Sequence, residues 1–438
     1  MTPSSRRPSR VHARGRPVPP RRARRRPWLG VLCACLALPA AYAATGAPDA
    51  CAYLKSRAAH EAGGAVFLPS YPDAEPGPLR QAAFLYDNAV AAIALVACGQ
   101  AIAARRIGDA MLLAIDHDRY WHDGRLRNGY AAGAVAAAPL KLAGWWSERD
   151  RRWLEDNYQA GSDSGNMAWA LLALLTLDAD ARDAGQAARD PVRRDHRYLA
   201  GALRLARWLE GQRDRRGAGG FTGGSFGSEA EPSRESWKST EHNVDLFAAF
   251  GWLAAASADA HWRTQSEVAL RFVASMWDSP RGVFAAGTRE DGVTRNPLLA
   301  LDAQIWPLLA VPGATVRYIE AYTRGAQRLR SSDGSGFAYS EAGDGAWTEG
   351  TAMAALLRSY LTETALAPAP SAAIELARAS DGGYYATTAA ALPTGFMLDT
   401  DPNQPRVYRH LEHLGAAAWV ALWQQRFNPF TGTRTLPR

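Results

Sequence analysis

Six stretches of this chain are apolar nearly all the way round a helix, and they alternate with stretches that are apolar on one side only. The first kind comprises Asn88–Gly99, Asn166–Leu177, Asn243–Ala256, Leu301–Val311, Thr351–Leu361 and His413–Trp423. A helix without a polar face has to be covered on every side. The second kind, rich in Arg, comprises Ala101–Ile115, Tyr198–Arg213, Trp262–Trp277, Val316–Arg330 and the poorer Ser371–Ala379. These can face water. Turns such as Gly219-Gly220-Phe221, Gly282-Val283-Phe284, Gly336-Phe337 and Gly382-Gly383-Tyr384 follow the outer stretches, and from about residue 78 there is almost no alternating strand pattern. The pattern predicts an all-α chain of helical hairpins.

Six buried helices with five outer partners leave one vacancy, which Ala50–Gly63 is suited to fill, so that the ring closes on itself. The spacing between hairpins, about 50 to 80 residues, is too irregular for a solenoid of 34-residue units, and closure removes the need for capping repeats. The expected fold is a single (α/α)6 toroid spanning residues 44–438. Such a ring needs no partner to bury its core, so a monomer is expected.

Residues 1–43 contain ten Arg and no acid, then an apolar run Trp28–Leu38 and Ala41-Tyr42-Ala43, which fits the small-x-small cleavage rule. This is a signal peptide pattern and predicts a periplasmic or secreted protein. The apolar run is about half the roughly 20 residues that a membrane helix needs, so no membrane span is expected once the leader is removed. Without the leader, 40 basic groups face 43 acidic ones, and the apparent basicity of the whole chain (50 against 43) gives no reason to expect a nucleic-acid partner. Cys33 and Cys35 leave with the leader. Cys51 and Cys98 remain, either as a disulfide or as two separate buried thiols. No His/Cys cluster has metal spacing, and neither a metal site nor a cofactor is implied.

In a toroid the inner helices run the same way, so the connections from outer to inner helices gather at one mouth. There the sequence places Tyr86-Asp87-Asn88, Ser164-Gly165-Asn166, Thr240-Glu241-His242-Asn243, Asp302-Ala303-Gln304, Trp347-Thr348-Glu349-Gly350 and His410-Leu411-Glu412-His413. Each cluster can be simple capping, since such residues satisfy the free amides of a helix start. Six clusters around one funnel are harder to explain that way. Trp237-Lys238-Ser239-Thr240-Glu241-His242-Asn243-Val244-Asp245 is the densest, with two acids, Thr240 suited to cap the helix and only one of Glu241 and His242 able to face the centre.

Cleaving a glycosidic bond takes two carboxyls, one protonated and one ionised. Glu241 and Glu349 are the expected pair, with Asp302 and Asp87 in reserve for the base role. Aromatic faces with amides and acids beside them suit sugar rings. Tyr86, Asn166, Trp237, Lys238, His242, Asn243, Trp347, Tyr384 and His413 are therefore the expected substrate-binding residues. Trp252, Trp306, Trp419 and Trp423 lie deep in their helices and read as core.

The hairpin order, the leader, Tyr86-Asp87-Asn88-Ala89, the Lys238–Asn243 segment, Trp347-Thr348-Glu349-Gly350 and the terminal His413…Trp419…Asn428-Pro429-Phe430 together resemble the secreted (α/α)6-barrel carbohydrate-active enzymes of bacteria over about residues 50–430. The resemblance implies acids and aromatics at the inner-helix mouth and a carbohydrate substrate. Toroids of this type include glycoside hydrolases, polysaccharide lyases and sugar epimerases. The first reading is an exported glycoside hydrolase. A lyase or epimerase would use His242 with His410 or His413 as bases and Lys238, Arg406 or Arg409 against a uronate. A non-catalytic glycan-binding protein of an exopolysaccharide system is the third reading.

Overall fold

In chain order the helices are α1 (Ala50–His60), α2 (Leu85–Ala97), α3 (Ala101–Asp116), α4 (Asn157–Ala160), α5 (Ser164–Ala187), α6 (Arg197–Glu210), α7 (Thr240–Ser257), α8 (Ala260–Ser275), α9 (Asp302–Ala310), α10 (Val316–Arg328), α11 (Thr348–Tyr360), α12 (Ser371–Leu376) and α13 (Leu414–Gln425). The computed structural model describes residues 49–60, 63–135, 140–187, 196–313, 316–361, 371–398 and 401–437. All of these belong to one compact unit, Gly46–Arg438. The expected leader, its cleavage site and Cys33 and Cys35 lie outside the described residues.

Hydropathy sorts the helices into two layers. In α2, eleven of thirteen residues are buried. In α10 the buried residues are Tyr318, Ala321, Tyr322 and Gly325, a single stripe at the i, i+3, i+4, i+7 spacing. The apolar helices pack in sequence order, α2 on α5, α5 on α7, α7 on α9, α9 on α11 and α11 on α13, and α13 returns to α2. Outside them α3, α6, α8, α10 and α12 pack on α2, α5, α7, α9 and α11. The N-terminal α1 lies against α13 and α2, in the expected vacancy. The ring is therefore a closed (α/α)6 toroid.

Cys51 of α1 and Cys98, just after α2, form a disulfide with a Cα–Cα distance of 5.7 Å. It closes a loop of 47 residues, for which chain entropy alone gives about 4 kcal/mol. Cys98→Ser is expected to lower the unfolding free energy by about 2–4 kcal/mol in chemical denaturation. A reductant should then shift the unmodified chain and leave the variant where it is.

Two features differ from the sequence expectation. Short antiparallel strand pairs fill the connections, and the longest joins Ala391–Leu398 to Asp401–Arg409. Strands of two to four residues are too short to show a period. The long pair carries Pro393, Gly395, Pro402 and Pro405, residues that argue against a strand in a sequence reading. The inner helices also begin up to three residues early, at Leu85, Ser164, Thr240 and Thr348, so the polar clusters form their first turns. Ser239, not Thr240, caps α7 by accepting from the His242 N–H, while the Thr240 hydroxyl donates to the Ala285 carbonyl.

Candidate active site

One device recurs at the start of five inner helices. The side chain on the fourth residue accepts from a backbone N–H in the preceding connection: Asn88 from Leu68, Met167 from Leu126, Asn243 from Phe221, Gln304 from Phe284 and Thr351 from Phe337. For α9 the count starts at its cap, Leu301. These latches tie the loops to the mouth, and they fix which residues of each first turn face inward. The two positions ahead of the latch hold Tyr86 and Asp87, Gly165 and Asn166, Glu241 and His242, Asp302 and Ala303, and Glu349 and Gly350. In α13 the same register gives Gly415 and Ala416. Three acids, Glu241, Asp302 and Glu349, thus occupy one equivalent position on successive inner helices.

Two of these glycines, Gly165 and Gly415, make room for their neighbours. A Cβ on Gly165 would lie 2.4 Å from the His242 ring. One on Gly415 would lie 2.8 Å from Asp87, 2.9 Å from His413 and 3.1 Å from Glu349.

Around Gly415 runs a buried chain of polar groups. His413 Nε2 is 3.2 Å from Asp87 Oδ2 and its Nδ1 is 3.3 Å from Glu349 Oε1. The Tyr86 hydroxyl donates to Glu349 Oε2 at 3.2 Å and accepts from the Trp419 indole at 2.8 Å. Burial pulls the His413 imidazole toward neutrality, but the two carboxylates beside it win and hold its pKa at about 10. His413 is therefore an imidazolium between two acids, and Glu349 accepts one hydrogen bond, from Tyr86, while its Oε1 faces the imidazolium without one.

Glu241 and Asp302 form a second unit, joined by a hydrogen bond between their carboxyls. Burial and the neighbouring Asp302 and Asp245 push Glu241 well above the usual carboxylate range. Burial raises Asp302 to about 6, against the hydrogen bond from Glu241 that favours its charge. Two acids so placed share a proton, with Glu241 carrying it. Glu241 is half-buried at the mouth, whereas Asp302 and Glu349 are buried. His242 turns the other way, to the Trp237 ring at 5.4 Å, and burial together with Arg406 keeps it neutral.

Aromatic side chains make the walls and floor. Tyr71 stacks on His413 at 4.6 Å, and Trp347 lies between Tyr339 at 4.8 Å and Tyr408 at 5.6 Å. Tyr158 takes a hydrogen bond from Asn166 and sits under the Arg406 guanidinium. Tyr408 and Arg406 come from the Ala391–Arg409 strand pair, which thus covers part of the mouth. One helical turn below the acids, Trp169, Trp306, Trp419 and Phe430 interlock at 5.2–6.4 Å and close the ring.

The structure brings together Glu241, Asp302, Glu349, Asp87, Tyr86 and His413, with Asn166, Trp237, His242 and Trp347 around them. Three expected substrate-binding residues are engaged elsewhere. The Lys238 ammonium is buried in the 214–219 loop, donating to the Arg216 and Gly219 carbonyls at 2.8 and 2.9 Å beside Asp214. Asn243 is a latch, its amide spent on the Phe221 and Ser239 carbonyls and the Phe221 N–H. Tyr384 is wholly buried under Arg378, on the outer side of the ring. Asn243→Ala is expected to cost about 1–3 kcal/mol by orphaning the Phe221 backbone groups. A substrate-binding Asn would show itself instead in KM, with the melting temperature unchanged.

Sequence reasoning missed Tyr71, Tyr158, Tyr339 and Tyr408, and it singled out Asp245 only as part of the dense 237–245 segment, without a place in the site, whereas it is a buried neighbour of the acids. All four tyrosines lie in connections without periodicity, and their one shared mark is a position shortly before an inner helix or on the late strand pair. Among the described residues no group of three His, Cys, Asp or Glu could hold a metal ion, and no helix is long and apolar enough to cross a membrane.

No family model matches the chain, and no curated protein matches it in sequence. Solved structures do. A glycosidase in complex with glucose aligns with 86% of this chain and 94% of its own at a TM-score of 0.52 and 14% identity. The cellobiose 2-epimerase from Spirochaeta thermophila gives 85%, 92%, 0.54 and 12%, and that from Bacillus thermoamylovorans 85%, 95%, 0.53 and 11%. Likeness at these identities establishes the fold, the closed (α/α)6 ring that glycosidases and sugar epimerases also adopt.

Proposed function

We propose that the protein is an exported glycoside hydrolase acting on an oligo- or polysaccharide. The observation that carries this reading is the division of labour among the acids. Glu241 carries a proton at the mouth, and Glu349, on a different helix, faces the His413 imidazolium and accepts from the Tyr86 hydroxyl, so that the two carboxyls glycosidic cleavage needs stand in unlike surroundings. Glu241 would give its proton to the leaving oxygen, and Asp302 would hold the carboxyl in place through their hydrogen bond. Glu349 would act on water or on the anomeric carbon, steadied by His413 and Tyr86. Glu349 has no exposed surface, so a sugar can reach it only if the side chains around it give way. Trp237, Tyr71 and Tyr408 would stack on the sugar faces, with the buried Trp347 backing Tyr408. The leader pattern and the Cys51–Cys98 disulfide support export and a mature chain from Ala44.

An epimerase is the second reading, because His242 is a neutral imidazole at the mouth and suits proton abstraction. His413 is a poor second base, already protonated between two acids. The test is a panel of neutral and acidic glucans and their oligosaccharides, incubated with the purified protein. Hydrolysis predicts new reducing ends. Isomerised sugar without chain shortening would favour the epimerase, unsaturated-uronate absorbance a lyase, and binding without turnover a glycan-binding protein.

A further inference from the structure

Trp146 and Trp153 are exposed to 52% and 44%, unusual values for so large an apolar side chain. They stand directly opposite each other on a strand pair, Gly144–Ser147 with Arg152–Glu155, and so share one face of it. Gly144 is on that face too. A Cβ there would lie 2.4 Å from the Trp153 indole nitrogen, so the absent side chain lets the ring lie down across the strand. On the opposite face Trp145 and Leu154 are half-buried.

The strand pair belongs to the connection from α3 to α5, an outer-to-inner connection, which places it on the mouth side of the ring. Beyond Glu155 the chain turns through Asp156, which caps α4, to Tyr158 at the rim of the site. Tyr158 is five residues on from Trp153, a reach of at most about 18 Å. Arg119 grips both oxygens of Glu155 at 2.7 and 2.6 Å, giving the indoles a polar border.

We propose that Trp146 and Trp153 form an outlying platform on which a glycan chain leaving the mouth stacks. The proposal rests on the hydrolase reading and narrows its substrate to a chain long enough to span from Tyr158 to the platform. Two exposed indoles on one face of the strand pair, with hydrogen-bonding groups beside them, match sugar rings. Half of two Trp side chains amounts to roughly 200 Å². A stable protein interface takes about 800 Å² per partner. A narrow strip with a charged border therefore fits a chain better than a folded partner.

The test compares the unmodified protein, the double variant W146A/W153A and E349Q in affinity electrophoresis through gels holding each polysaccharide of the panel. Both indoles are exposed, so melting temperatures should coincide. The expected result is retardation of the unmodified protein and of E349Q by at least one polysaccharide, weakened about tenfold in the double variant. KM for that polymer should rise by the same factor with kcat unchanged, and kinetics on a disaccharide of the same linkage should not move. Equal retardation of the unmodified protein and the double variant, or no retardation of either by any polysaccharide, would overturn the platform. Failure of the hydrolase reading looks different: no reducing ends are released, while retardation persists and is still lost in the double variant.

Discussion

Glu241→Gln is expected to lower kcat on an unactivated glycan by about 10²–10⁴, the contribution of a positioned general acid. The amide keeps the size of the carboxyl and can still hydrogen-bond to Asp302, so the fold and sugar binding should survive. What it lacks is the transferable proton. A dinitrophenyl glycoside, whose leaving group departs without protonation, should therefore be cleaved by the variant at a rate near that of the unmodified protein. The pH profile gives an independent sign. Burial and Asp302 raise the Glu241 pKa, and the proposed acid role needs its protonated form, so activity should fall as pH rises through that raised value. The variant should lose this alkaline limb with the activated substrate.

His413→Ala should destabilise the protein by about 3–5 kcal/mol, because it leaves Asp87 and Glu349 buried without the cation between them. Asp87→Asn in that background should restore part of the loss, and a coupling of about 0.5–3 kcal/mol in the double-mutant cycle would confirm that the two act as one unit. The pH dependence has a definite direction. The folded-state pKa of His413 is raised from 6.5 to about 10, so its stabilisation is complete below about pH 6.5 and is lost as pH rises through about 10. The difference in unfolding free energy between the unmodified protein and His413→Ala should accordingly shrink between neutral pH and pH 10.

The ring was legible because its cause is periodic. Ala89–Ala97 and Leu301–Val311 have no polar side to give to water, and Val316–Arg330 has one, so burial alone orders the layers. Even the place of α1 followed from a missing partner. The acids were legible as a class, since Glu241, Asp302 and Glu349 each open an apolar helix. Which neighbours of those acids face inward was not. Consecutive residues in one turn point about 100° apart, and the latch that sets the rotation is made with a loop far away in sequence. Asn243 looks like a ligand residue until Phe221 is placed beside it, and Lys238 looks poised for substrate until its ammonium is found among the carbonyls of the 214–219 loop. His413 could be foreseen as polar but not as a cation, because Asp87 and Glu349 reach it from α2 and α11.

The most direct test is the release of reducing ends from the glycan panel by the unmodified protein, Glu241→Gln, Glu349→Gln and His242→Ala, assayed together. The account predicts release by the unmodified protein, its loss in both Glu variants with glycan binding retained, and a milder effect in His242→Ala. Turnover that survives in both Glu variants, or that disappears in His242→Ala alone, would contradict it.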